Sequence, residues 1–294
     1  MILNSQARIV FLLAVSALLL CQSVSFAQDT KAPTPDKQKP ADKSDAKAVQ
    51  QLPDILVVRD GWKTNPVTVK AVLESTIKEL WKQFPNRKLP PIVVYPQKGP
   101  VTLYARGPNN EIFVRLSTGG TYWSQYAFQF SHEFCHILCE YDADPHGNNW
   151  FEESVCEMAA LYSLRRMGET WKTEPPYAHW KSYAVSLTQY ADQRIATSKL
   201  ATNESLAQWY QKNAEVLAKD ALRRELNLKV AAHFLPIVEA NPEYWQAVQY
   251  LNKAKPKARQ SFAEYLSDWH SNCPDQYKPF VKKIADDFEV TLQK

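Results

Sequence analysis

The segment His132-Glu133-Phe134-Cys135-His136 is followed, seventeen residues after His136, by Glu153 in Trp150-Phe151-Glu152-Glu153-Ser154, and this pairing constrains the fold more than any other feature. Two histidines at i and i+4 share a face and also come close enough to hold one Zn²⁺ through their imidazoles when their segment is helical. Glu133 follows the first histidine directly, which places its carboxylate beside the ion as a general base for water. A catalytic site of this kind needs three protein ligands and an open fourth position, so the fold must carry a third donor in from elsewhere. Glu153 is the expected donor, giving one zinc per chain on His132, His136 and Glu153.

Helical phase supports the assignment. Counting 100° per residue from Tyr126, the side chains of Trp123, Ala127, Phe130, Phe134, Ile137, Leu138 and Tyr141 fall in an apolar arc of about 120°. Gln129, His132, Glu133 and His136 occupy a separate arc. The pattern predicts a helix over residues 122 to 141 with one side in the core and the motif on the other. After Glu153, Ala160, Leu161 and Leu164 recur at helical spacing and put it on a buried stripe, whereas its rival Glu152 is turned about 100° away. Glu157, one turn further on, is expected to accept a hydrogen bond from the second ring nitrogen of His132. An ion pair with Arg165 or a lysine is its alternative role.

The rest of the chain sets the frame. Residues 1 to 27 carry one charge, Arg8, then an apolar run from Ile9 to Leu20 and the small-x-small triplet Ser25-Phe26-Ala27, the pattern of a secretory signal cleaved after Ala27. The apolar run is too short to span a bilayer comfortably. The expected destination is periplasmic or extracellular, with no stable membrane association after cleavage. Residues 28 to 51, rich in Lys, Asp, Pro, Ala and Gln, hold too little apolar surface for a core and read as a flexible linker. Residues 52 to 294 suffice for one α+β domain. Its first lobe, 52 to 141, is expected to hold strands at 55–58, 92–95, 101–105 and 111–116, a helix at 67–84 and the motif helix. Its second, 142 to 294, is expected to be helical, with breaks at Pro145, Pro175-Pro176, Pro242 and Pro274. Arg106-Gly107-Pro108-Asn109-Asn110 reads as a hairpin turn. The acidic segment Asp142-Ala143-Asp144-Pro145-His146 reads as a solvated loop, since its oxygens lack calcium-loop spacing.

A formal charge of +4, spread over interleaved Lys, Arg, Asp and Glu, gives no basic block for nucleic acid. Four cysteines remain after signal removal, and export permits disulfides. If the two site helices pack antiparallel, a Cys139–Cys156 bridge could clamp them, although buried thiols are the commoner use of such residues.

His132-Glu133-x-x-His136 with a downstream Glu153 resembles the gluzincin metallopeptidases, the thermolysin-like and M1 aminopeptidase-like enzymes. Trp150-Phe151-Glu152-Glu153-Ser154-Val155-Cys156-Glu157 is similar to the segment carrying the glutamate ligand in the aminopeptidase branch. The resemblance covers residues 110 to 165. It implies a zincin-like fold with ligands His132, His136 and Glu153, base Glu133 and supporting carboxylate Glu157. It also implies a sheet edge beside the motif helix that holds an extended peptide, here residues 111 to 117. No glycine-x-methionine-glutamate-asparagine segment lies upstream, so aminopeptidase specificity is not implied. Asn227 stands where these enzymes carry a transition-state tyrosine, and a replacement donor would have to come from His233, Tyr210, His179 or Tyr183. The expected function is hydrolysis of a peptide or protein substrate. The alternative is a non-catalytic cell-envelope or interaction protein that keeps the zincin fold with a structural metal.

Overall fold

Strand β1 (Ile55–Val57) leads through helix α1 (Pro66–Trp81) to β2 (Ile92–Pro96), and β3 (Val101–Arg106) turns back into β4 (Ile112–Leu116). A computed structural model describes residues 50–141, 147–255 and 257–293. The segment expected to be an export signal, nearly all of the expected linker and the acidic segment 142 to 146 lie outside the described residues. Asn65 starts α1 by accepting a hydrogen bond from the Val67 backbone N–H at 2.9 Å, and Pro66 sits where a helix needs no backbone donor.

The four strands form one mixed sheet in the order β1-β2-β4-β3, parallel except for the antiparallel β3–β4 hairpin. Ile92 pairs with Ile55 on one side and Ile112 on the other. That register aligns the buried residues Ile92, Val94, Ile112, Val114 and Leu116 on one face. The strand expected at the sheet edge is therefore internal, because β4 is paired on both sides and the edge is β3. Asn110, in the left-handed region at φ 66°, donates its N–H to the Gly107 carbonyl at 2.9 Å and closes the β3–β4 hairpin, and pairing of β4 with β2 gives β4 the inner place. β4 alternates buried and half-buried residues along its length, whereas residues 104–106 of β3 are exposed, as an edge tolerates.

Helices α2 (Trp123–Leu138) and α3 (Asn149–Thr170) pack side by side, with α1 against both and β3 and β4 beside α2. α3 is buried on all sides for most of its length: Trp150, Phe151, Val155, Met158, Leu161, Tyr162, Leu164 and Met167 are all buried. Such a helix runs through a core. It is flanked by α4 (Ala184–Thr197), α5 (Leu206–Lys219) and α6 (Arg224–Ala240), and α7 (Phe262–Asn272) and α8 (Lys278–Asp287) complete the helical half. A Cβ at Gly168 would sit 2.1 Å from Thr188 Oγ1, so glycine allows α3 and α4 their approach. The chain is thus α+β, a small mixed sheet followed by a mostly helical second half. Breaks fall at Pro175-Pro176, Pro242 and Pro274, but Pro236 lies inside α6. Among the described residues no helix is long and apolar enough to cross a membrane.

Three boundaries differ from expectation, the first being α1, which ends at Trp81 and not at residue 84. The linker gives way to the domain at Gln50: its side-chain amide donates to the Phe84 carbonyl at 2.6 Å, and the Gln51 carbonyl accepts from Trp81 Nε1 at 2.9 Å. The motif helix ends at Leu138, three residues early, because Glu140 turns into the left-handed region at φ 56°. Arg87 closes that end by donating from Nη1 to the Leu138 carbonyl at 2.6 Å and from Nη2 to the Ile137 carbonyl at 3.1 Å. Tyr141 consequently leaves the apolar arc, and its hydroxyl donates to the Leu103 carbonyl of β3 at 2.6 Å.

Candidate metal centre

The two motif histidines present the same nitrogen to the same carboxylate. His132 Nε2 lies 3.1 Å from Glu153 Oε2, and His136 Nε2 lies 3.5 Å from Glu153 Oε1. Two donors bound at about 2.1 Å to a tetrahedral zinc stand about 3.4 Å apart, so the three side chains are spaced for one ion. Within this set the donor atoms all fall inside 4.8 Å of one another. The nitrogen, nitrogen and oxygen donors are of the kinds zinc takes in catalytic sites, and the residues fit the metal.

Helix α2 supplies both histidines one turn apart, and the first two turns of α3 supply Glu152 and Glu153, where the positive end of the helix dipole favours carboxylates. Both glutamates enter the site, so the choice between them resolves into a division of roles. Glu152 Oε1 accepts from His136 Nδ1 at 2.6 Å, and Glu152 Oε2 accepts from Asn252 Nδ2 at 2.6 Å. Glu152 thereby fixes the ring and tautomer of His136. Phase alone could not foresee this, because the two carboxylates straddle the His136 ring and do not point the same way.

Glu157 occupies the expected neighbourhood of His132, but its Oε1 is 3.6 Å from His132 Nδ1, beyond hydrogen-bond distance. Arg224 Nε, at 2.8 Å, takes that oxygen, and His132 Nδ1 has no hydrogen-bond partner. The ion pair is therefore made with Arg224 of α6 and not with Arg165, which pairs with Glu239 at 3.1 Å.

Glu133 is buried, and Thr102 Oγ1 of the edge strand lies 3.0 Å from both its carbonyl oxygen and its Oε2. One hydroxyl thus ties β3 to the motif helix and orients the Glu133 carboxylate. The cleft above has a volume of about 590 Å³. Pro100, Val101, Thr102 and Tyr104 wall it on the β3 side, and Ala221, Leu222, Arg224 and Asn227 wall it on the α6 side.

The electrostatics favour a bound cation. Burial pulls His136 down, but the hydrogen bond to Glu152 and the charges of Glu152, Glu153 and Glu133 outweigh it and raise its pKa to about 10. His132 is raised in the same way, against its own burial, chiefly by Glu153 and Glu157. Burial opposes ionisation of Glu153, yet the two histidines and Arg224 hold its pKa below the usual carboxylate value. Glu157 is pushed up, first by burial. The carboxylates that stabilise protons on these imidazoles make a field that also attracts a metal ion, which would bind by displacing those protons.

The residues foreseen as transition-state donors lie elsewhere. His233 Nε2 is 3.0 Å from Asp287 Oδ2 of α8. Tyr210 packs against Trp150, Phe262 and Phe288, with ring centroids 5.2 to 5.4 Å away. His179 stacks on Tyr177 at 5.8 Å, and Tyr183 Oη accepts from the Ser124 N–H at 3.3 Å. None of the four lines the cleft. Each follows its local helix face, which sequence phase places correctly without saying which face meets the site. Asn227 does reach the wall, buried, with Nδ2 donating to the Ala221 carbonyl at 2.7 Å. Thr102, Tyr104 and Arg224 are among the cleft groups that the sequence did not single out, and Tyr141, expected on the apolar arc, also lines the cleft.

The anticipated Cys139–Cys156 bridge is not formed. All four described cysteines are free, and Cys135 joins Cys139 and Cys156 at one buried contact, so no isolated pair faces across the helices. No family model, curated protein or solved structure matches this chain.

Proposed function

We propose that this chain is an exported, zinc-dependent hydrolase of peptide bonds built on a zincin-like arrangement, with His132, His136 and Glu153 as ligands and Glu133 as general base. The observation that carries the reading is the convergence of His132 Nε2 and His136 Nε2 on one carboxylate, at 3.1 and 3.5 Å, with Glu133 on the same helix and an open cleft above.

Zinc, when bound, supplies a Lewis acid that makes water more acidic and polarises the substrate carbonyl. Glu152 holds His136 so that Nε2 faces the ion. Thr102 holds one oxygen of Glu133, leaving Oε1 to take the proton from the attacking water and deliver it to the departing amine. An extended substrate lies along β3, the edge strand beside the motif helix, where added strand pairing would fix its backbone. Tyr104, Tyr141 and Arg224 line the cleft, and Arg224, which meets Glu157 through Nε, is the side chain assigned to an oxyanion or a substrate carbonyl.

The test is metal content and peptide hydrolysis of the purified protein beside its His132→Ala, Glu153→Ala and Glu133→Gln variants. The reading expects one zinc per chain, lost in the first two variants, and Glu133→Gln should keep zinc while losing turnover. Zinc without hydrolysis of any peptide in a broad library favours the non-catalytic alternative. Hydrolysis retained by Glu133→Gln refutes the role given to Glu133.

A further inference from the structure

Beneath the metal centre, α2 and α3 bring three more donors together. The Sγ atoms of Cys135 in the last turn of α2, of Cys139 directly after that helix, and of Cys156 on α3 lie within 4.8 Å of one another, and all three residues are 0 % exposed. All three are free thiols. The sequence holds five cysteines, one of them Cys21, and three of the other four meet at this single contact. Small packing residues alone would serve there, as Ala159, Ala160 and Ser163 do at other buried positions of α3. The cluster adjoins the histidine site, because donor atoms of Cys156, His136 and Glu152 lie within 4.8 Å of one another.

We propose that Cys135, Cys139 and Cys156 form a second metal site, a three-sulfur site for a soft monovalent ion of the cuprous class. Among the described residues no histidine or carboxylate joins all three sulfurs as a fourth donor. Zinc structural sites take four donors and hard cations take oxygen, whereas thiolate sulfur selects cuprous copper. With metal–sulfur bonds of about 2.3 Å, a trigonal site sets its sulfurs roughly 4 Å apart. The observed spacing admits that geometry without moving either helix. The ion enters as Cu⁺, displaces two thiol protons to solvent and binds the third sulfur as a neutral thiol. No electron is transferred, and the site ends with a net charge of minus one. The site does not depend on the peptidase reading, since it uses none of the three zinc ligands.

The experiment is anaerobic titration of the full-length protein, reduced with a phosphine, with Cu⁺ in competition with a chromophoric chelator. Sulfur-to-copper charge-transfer absorption and X-ray absorption at the copper edge are read together. One copper per chain with a sulfur shell at about 2.3 Å is expected. The band should persist in Cys21→Ser, Cys273→Ser and His132→Ala and disappear in Cys135→Ser and Cys156→Ser. Copper surrounded by nitrogen and oxygen, a band unchanged in Cys156→Ser, or no copper held by the folded wild-type protein overturns the proposal. If a cysteine variant fails to fold by circular dichroism, the copper-edge spectrum of the wild-type protein decides.

Discussion

Replacing Glu152 should weaken zinc binding while leaving the fold intact, and the size of the loss follows from its contacts. Its Oε1 receives the His136 Nδ1 proton at 2.6 Å and its Oε2 is itself fixed by Asn252 at 2.6 Å, so the imidazole is held in one tautomer by an anchored anion. Loss of such a partner typically costs ten- to a hundredfold in metal affinity, about 1.4 to 2.7 kcal/mol. Glu152→Gln keeps an acceptor and loses the charge, and it should fall near the lower figure. Glu152→Ala loses both and should fall near the upper. Glu157→Gln should matter less, because Glu157 stands 3.6 Å from His132 and is engaged by Arg224. The assay is competition for zinc with a chromophoric chelator, beside circular dichroism of each variant. Unchanged affinity in Glu152→Ala, or a larger loss in Glu157→Gln than in Glu152→Gln, would refute the division of roles.

Three further perturbations test the surroundings. Arg87→Met removes two charge-assisted bonds from the end of the motif helix and should destabilise the chain by about 2 to 3 kcal/mol in urea denaturation; an unchanged midpoint means Arg87 is no cap. Thr102→Val frees the Glu133 carboxylate and should lower kcat/KM up to about tenfold at constant zinc content, whereas loss of zinc as well would show that Thr102 acts on the whole site. Gly168→Ala forces a methyl against Thr188 Oγ1 and the Ala184 carbonyl and should cost about 1 to 3 kcal/mol in thermal or urea unfolding. Restoration by a second change, Thr188→Ala, would identify the clash as the cause.

The sequence made the local elements legible because their signals are local. The β-branched and aromatic runs Ile92-Val93-Val94 and Ile112-Phe113-Val114 and the apolar arc of the motif helix each depend on neighbours a few residues away. The order of strands was not legible, because whether β3 or β4 lies outside depends on how the hairpin folds back on β2. The helix end at Leu138 was missed for a similar reason. Arg87, about fifty residues earlier in the chain, supplies the cap.

The site divides along the same line. The i, i+4 histidines and the adjacent Glu133 were fixed by helical geometry, and the buried stripe after Glu153 aimed that carboxylate inward. What only the tertiary structure decided is every relation between elements: Glu152 on His136, Arg224 on Glu157, Thr102 on Glu133 and the meeting of three thiols. A sequence records which face of a helix a residue occupies, since that follows from a 100° step per residue. It does not record which other face lies opposite, because that is set by the packing of a core whose contacts join residues far apart in the chain.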